Sequence, residues 1–175
     1  MNLQHLCSAP HITVYFDVTN QWLYLEWEGE LTLPKVQHAC LEIAQCFVKH
    51  PYARVLNNNT QVTSASYDVA PWLAQYFMPH LHLAGVERLA WVLAPTLRGS
   101  LVAQSTVSRL PHELAIALFT DLEDAVHWLQ QASPPPVSSP PPTPVPRSKL
   151  SRVVQALERE LQPAPPATTI PRPIE

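Results

Sequence analysis

The block Asn57-Asn58-Asn59-Thr60-Gln61-Val62-Thr63-Ser64 packs amide and hydroxyl side chains together without a single charge. Groups of this kind both donate and accept hydrogen bonds, so the chemistry they suit is recognition rather than bond breaking. The block follows the apolar stretch Ala53-Arg54-Val55-Leu56 and precedes a helical pattern carrying Val69, Trp72, Leu73 and Tyr76. In a sheet with crossover helices, ligands and partners meet the loops beyond the carboxyl ends of the strands. Residues 57–64 are therefore read as a strand-end loop and as the first candidate site. Two roles are open to it. Asn59, Thr60, Gln61 and Thr63 could read a polar ligand or a partner's backbone. Alternatively, Asn57, Asn58 and Asn59 shape the chain itself, because asparagine tolerates left-handed backbone and bonds its own neighbours. Helix-N-terminal amides nearby would favour an anion or a carboxylate as ligand.

The other reactive side chains lack a catalytic arrangement. Glu26, Glu28 and Glu30 alternate on a strand and its exit, which gives them a solvated face. Asp121, Glu123 and Asp124 fill the first turn of a helix, where the dipole favours negative charge. No Gly-x-Ser-x-Gly, phosphate-binding glycine loop or Cys-His pairing stands out. The expectation is a protein that is not an enzyme, with no catalytic residue and no cofactor. His80 and His82, two of eight histidines, point apart on a helix, and no carboxylate or cysteine stands at zinc-like spacing from them. No metal site is expected. Cys7, Cys40 and Cys46 are odd in number and form no C-x-x-C pair. Cys40 and Cys46 lie about 240° apart on a helix, so neither a disulfide framework nor a zinc site is indicated.

Composition separates what positions these residues from what does not. Of twenty prolines, seven precede residue 133, eight lie between Pro134 and Pro146, and five between Pro163 and Pro173. Residues 1–132 form the globular unit, apolar enough to bury a core. A Pro-rich linker follows at 133–147, then an amphipathic helix at 148–162 and a disordered Pro-rich tail at 163–175. The globular part carries eleven acids against six Lys/Arg, a net of −5. A mildly acidic domain without a basic stripe argues against nucleic acid as a partner. With no basic segment followed by an apolar one at the N-terminus and no run of membrane-spanning length, a cytoplasmic location is expected.

Patterning then orders the elements. Ile12–Asp17 and Trp22–Trp27 read as strands of a hairpin around Val18-Thr19-Asn20. Val36, Cys40, Ile43, Ala44 and Phe47 mark a helix capped by Thr32, opened by Pro34 and stopped by Pro51. A third strand at 54–56 leads into the polar block. A second helix from about Ser66 through Phe77 is interrupted by Pro79, with Gly85 beyond its end. Leu89–Ala94 is a continuous apolar run, as in a strand covered on both faces. A short helix opens at Pro95-Thr96, a last strand spans 115–119, and Thr120 through Glu123 reads as a capping box for a final helix. The order ββαβαβαβα predicts an α/β fold with a small mixed sheet of about five strands flanked by about four helices.

Three segments resemble the STAS-like proteins, in particular their bacterial SpoIIAA-like branch. These are the hairpin with Trp22-Leu23-Tyr24 and Trp27, the strand end Val55-Leu56-Asn57-Asn58-Asn59-Thr60, and Phe119-Thr120-Asp121-Leu122-Glu123-Asp124-Ala125-Val126-His127-Trp128-Leu129. The resemblance covers about residues 10 to 131. It implies a non-catalytic binding or signalling module that recognises a protein partner or small polar ligand through 57–64. In the anti-sigma-factor antagonists of that superfamily, a serine or threonine after the third strand is phosphorylated. Thr60, Thr63, Ser64 and Ser66 occupy that region here, but Asn57-Asn58-Asn59 replaces the usual Asp-Ser-Ser/Thr-Gly pattern. The alternative is a carrier of a small, lipid-like ligand in a cavity lined by some of Trp22, Tyr24, Trp27, Trp72, Tyr76, Phe77 and Trp91. A cryptic enzyme is the second alternative.

In the linker, Pro134-Pro135-Pro136 and Pro140-Pro141-Pro142 favour an extended spacer of about 3 Å per residue. Beyond it, Leu150, Val153, Val154, Leu157 and Leu161 form one apolar stripe. A helix of this length is marginal alone. It is expected to dock on its own domain, on a second copy in a homo-oligomer, or on a protein partner.

Overall fold

A computed structural model describes residues 1–110, 114–131, 151, 152, 154, 155, 158 and 159. Six strands, β1 (Leu3–Ala9), β2 (Ile12–Asp17), β3 (Trp22–Leu31), β4 (Arg54–Ala65), β5 (Arg88–Val92) and β6 (Ala115–Phe119), form one sheet in sequence order. The first three pair antiparallel, and β3 through β6 pair parallel. The helices are α1 (Leu33–Lys49), α2 (Val69–Trp72), α3 (Met78–Leu83), α4 (Leu97–Val107) and α5 (Leu122–Gln130). A π-helical turn, Leu73–Phe77, joins α2 to α3, so 69–83 is one continuous helical segment carrying both an interruption and Pro79.

The mixed α/β architecture agrees with the expectation, with three differences. The sheet has a sixth strand, β1, paired to β2 at the sheet edge. The final helix is capped by Asp121, whose carboxylate accepts from the Glu123 and Asp124 amides, and not by Thr120. Most consequentially, residues 57–64 are not a loop. They continue β4, which runs twelve residues to Ala65.

Strand alternation sorts the core onto two faces. Leu23, Leu25 and Trp27 of β3, Val55 of β4, and Leu89 and Trp91 of β5 face α1, the 69–83 segment and α4. Trp22, Tyr24, Leu56, Ala90 and Val92 face the opposite way, against Ala125 and Leu129 of α5. The β2–β3 turn is pinned by Asp17, which accepts from the Asn2, Thr19 and Asn20 amides and from Asn20 Nδ2. Gly29 adopts φ +73°, a conformation side chains resist. It lies at a shift of register that lets β3 follow β4 to Leu31.

Candidate functional site

β5 stops pairing at Val92, opposite Asn58, whereas β3 stays paired with β4 as far as Ala65. The carboxyl half of β4 therefore projects past its neighbour as part of a two-stranded parallel extension. The three asparagines sit where the extension begins, and all three are buried. Alternation divides them between the two faces. On one face, Trp27 Nε1–H donates to Asn57 Oδ1 at 2.8 Å. On the other, Asn58 Nδ2–H donates to the Tyr24 hydroxyl at 2.8 Å, and that hydroxyl donates to Glu26 Oε1 at 3.2 Å. Asn58 Oδ1 also accepts from the Thr60 amide at 3.1 Å. Asn59 Nδ2–H reaches the Val92 carbonyl at 3.2 Å and so closes over the end of β5. These hydrogen bonds tie neighbouring strands together, and all three amide side chains are buried.

Burial also sets the acidity of the Tyr24 hydroxyl. Removal from water pushes its pKa up to about 12, the Glu26 charge adds to the rise, and the Asn58 bond works against it. The group stays protonated and acts as a relay of hydrogen bonds.

The exposed residues of this region are Thr60, Gln61 and Thr63, while Ser64 is half-buried. Ser66 is half-buried too, and its hydroxyl oxygen is buried without a hydrogen-bond partner among the described residues. Next to the end of β4, Tyr67 is 64% exposed and Leu97 is 77% exposed, and Leu101 is exposed one turn further along α4. The Arg98 guanidinium lies 5.2 Å from the Tyr67 ring centre, which ties Tyr67 to the start of α4. Exposed polar side chains thus lie on the strand extension itself, and exposed apolar ones on the segments that follow β4 and β5.

Beneath β4 lies a cavity of about 50 Å³, walled by Trp27, Trp91, Phe77 and aliphatic side chains, with Asn57 and Asn59 as its polar members. Of the aromatic residues considered for such a cavity, Trp22 and Tyr24 belong to the α5 face instead. Trp72 and Tyr76 are absent from the lining, although Trp72 stacks near Tyr76 and Phe77. Sequence reasoning missed most of the wall, because its residues come from β3, α1, β4, the 69–83 segment, β5 and α4.

Val154 packs against the same core from the outer side, in a groove with Ala44, Phe47, Phe77 and Leu81. Leu150, Val153, Leu157 and Leu161 of the expected docking stripe, and the Pro-rich linker and tail, lie outside the described residues. Among the described residues, no group of three or more His, Cys, Asp or Glu side chains could hold a metal ion. No helix among them is long and apolar enough to cross a membrane.

Comparison with known proteins places this architecture. A structural match is the crystal structure of an uncharacterized protein with a SpoIIAA-like fold from Shewanella loihica PV-4, 20% identical, with a TM-score of 0.44. It covers 71% of this chain and 98% of the other. A comparison with curated proteins found no match. The SpoIIAA-like family model matches residues 22–130, from the first residue of β3 to the last of α5. With its STAS-like sheet and helices, the chain belongs to the SpoIIAA-like family.

Proposed function

We propose that the chain is a non-catalytic STAS-like binding module that docks a protein partner at the carboxyl end of β4. The observation that carries this reading is that Thr60, Gln61 and Thr63 stand exposed on a strand extension that β5 does not pair with, while Tyr67, Leu97 and Leu101 are exposed on the segments that follow β4 and β5. Exposed apolar side chains beside hydrogen-bonding groups suit a protein surface, where a few buried aromatic or aliphatic anchors supply most of the affinity. Within the candidate set Asn57 to Ser64, the proposal divides the work. Asn57, Asn58 and Asn59 hold the edge, and Thr60, Gln61 and Thr63 present it.

Magnitude ranks the carrier reading second. A cavity that accepts benzene measures about 150 Å³, against about 50 Å³ here. A lipid-like ligand would have to enlarge it. What favours this reading is the apolar wall with two amides at one end.

Native mass spectrometry of the full chain from its own host separates the two. A stoichiometric protein complex that survives Lys49→Glu on α1 but is lost with Leu97→Glu or Thr63→Glu supports docking at β4. A complex equally stable in all three variants places the interface elsewhere and overturns the proposal. A retained small molecule that disappears with Trp91→Ala, with no dependence on Leu97 or Thr63, supports the carrier instead.

A further inference from the structure

The Cys7 and Cys46 sulfurs are 3.4 Å apart, although 39 positions separate them in the chain. Cys7 is on β1, at the register shift that follows His5. An irregularity of this sort re-aims the side chain that follows it. Cys46 is near the end of α1, the helix against which β1 packs. A disulfide needs the sulfurs at about 2.0 Å, so the pair must close by roughly 1.4 Å. That movement is within reach of side-chain rotation on an edge strand, four of whose seven residues are exposed.

We propose that Cys7 and Cys46 are an oxidisable dithiol pair, which a hydroperoxide converts to an intramolecular disulfide joining β1 to α1. Their accessibilities order the steps. Cys7 is half-buried and Cys46 is buried, so the oxidant meets Cys7 first. The Cys7 sulfur attacks the peroxide, the O–O bond breaks, and a sulfenic acid forms with release of an alcohol or water. The Cys46 sulfur then displaces the hydroxyl from the Cys7 sulfur. The S–S bond forms, and the departing hydroxyl takes up the Cys46 proton as water. In total, two thiols and one hydroperoxide give one disulfide, one alcohol or water, and one water. Burial, reinforced by the neighbouring Cys7, pushes the Cys46 thiol up to about 12, which makes it a poor nucleophile toward the peroxide in the first step. Cys40 is fully buried and lines the cavity, so it is set apart from this chemistry.

The bond would fasten a segment outside the family match to one inside it, since that match begins at residue 22. It would also anchor α1, whose Val36, Cys40 and Ile43 help to wall the cavity.

The test treats the folded full chain with hydrogen peroxide and follows intact mass and disulfide-linked peptides. The expected product has lost two hydrogens, contains a Cys7–Cys46 peptide pair, and melts about 5–10 °C higher than the reduced protein. Cys40→Ser should still form it; Cys7→Ser and Cys46→Ala should not. Because either variant could perturb packing, the peptide map of the unsubstituted chain stands as independent evidence. Oxygen addition at Cys7 without the two-hydrogen loss, a bond involving Cys40, or a disulfide between two chains would each overturn the proposal.

Discussion

Removing the Asn57 acceptor should cost more than the size of the change suggests, because its partner would remain buried. Asn57 and Trp27 are each 6% exposed, and their hydrogen bond spans 2.8 Å between neighbouring strands. In Asn57→Leu the indole N–H keeps its position but loses its acceptor. An unpaired buried donor costs about 1–3 kcal/mol, offset in part by about 1 kcal/mol of added apolar burial. A net loss of up to about 2 kcal/mol is expected. Trp27→Phe should lose a similar amount, from the orphaned Asn57 carbonyl and the smaller ring. In the double variant no polar group is left unpaired, so its loss should fall short of the sum of the two singles by about 1–2 kcal/mol. Urea unfolding followed by far-ultraviolet circular dichroism measures all four proteins. At a slope of about 1–3 kcal/mol per molar, each single variant should lower the midpoint by up to about 1 M. Single-variant losses that add to within about 0.5 kcal/mol would refute the reasoning, because the two groups would then be energetically independent.

Three further outcomes are expected. Burial works against the Asp17 charge, but the hydrogen bonds from Asn20, Asn2 and Thr19 outweigh it and hold the carboxyl below its ordinary value. Asp17→Ala should thus cost about 1–2 kcal/mol near neutrality. Its deficit should shrink in acid unfolding curves, since the native carboxylate's contribution is present above about pH 4 and lost as pH falls through the lowered pKa. For Tyr24 the sign is opposite: between about pH 10 and 12 the unfolded hydroxyl ionises while the native one keeps its proton, so stability falls as pH rises, and Tyr24→Phe should show a shallower decline than the parent. Val154→Asp, which places a charge in the groove with Phe47 and Leu81, should lower stability by about 1–2 kcal/mol and hasten tryptic cleavage at Arg152 and Arg159; Gln155→Asp, at an exposed position, should do neither.

The sequence was legible where periodicity and burial coincide. β2 and α1 bury positions at strand and helix spacing, while β5 and β6 are unbroken apolar runs, and these patterns disclosed them. β1 was not legible, because an edge strand with His5, Gln4 and Ser8 toward solvent has no alternation to detect. The carboxyl half of β4 failed for another reason. Asparagine is disfavoured in strands and favoured in turns, and here pairing to β3 and the side-chain ties of Asn57 and Asn58 override that preference. The cavity and the Cys7–Cys46 contact depend on which distant segments meet, and no local spacing encodes that meeting.

The division of the asparagines between the two sheet faces has a consequence for how the chain reaches a single structure. Parallel strands of similar apolar content can slide past one another at little cost, and a slip of one residue exchanges their faces. In β4 such a slip would move Asn57 from Trp27 toward the Tyr24 side and Asn58 toward the Trp27 side, breaking both bonds at once. Either amide alone would penalise the error on one face. Together they act as a two-sided key that admits β4 against β3 in one alignment, fixing where the strand extension, and the edge it presents, begins.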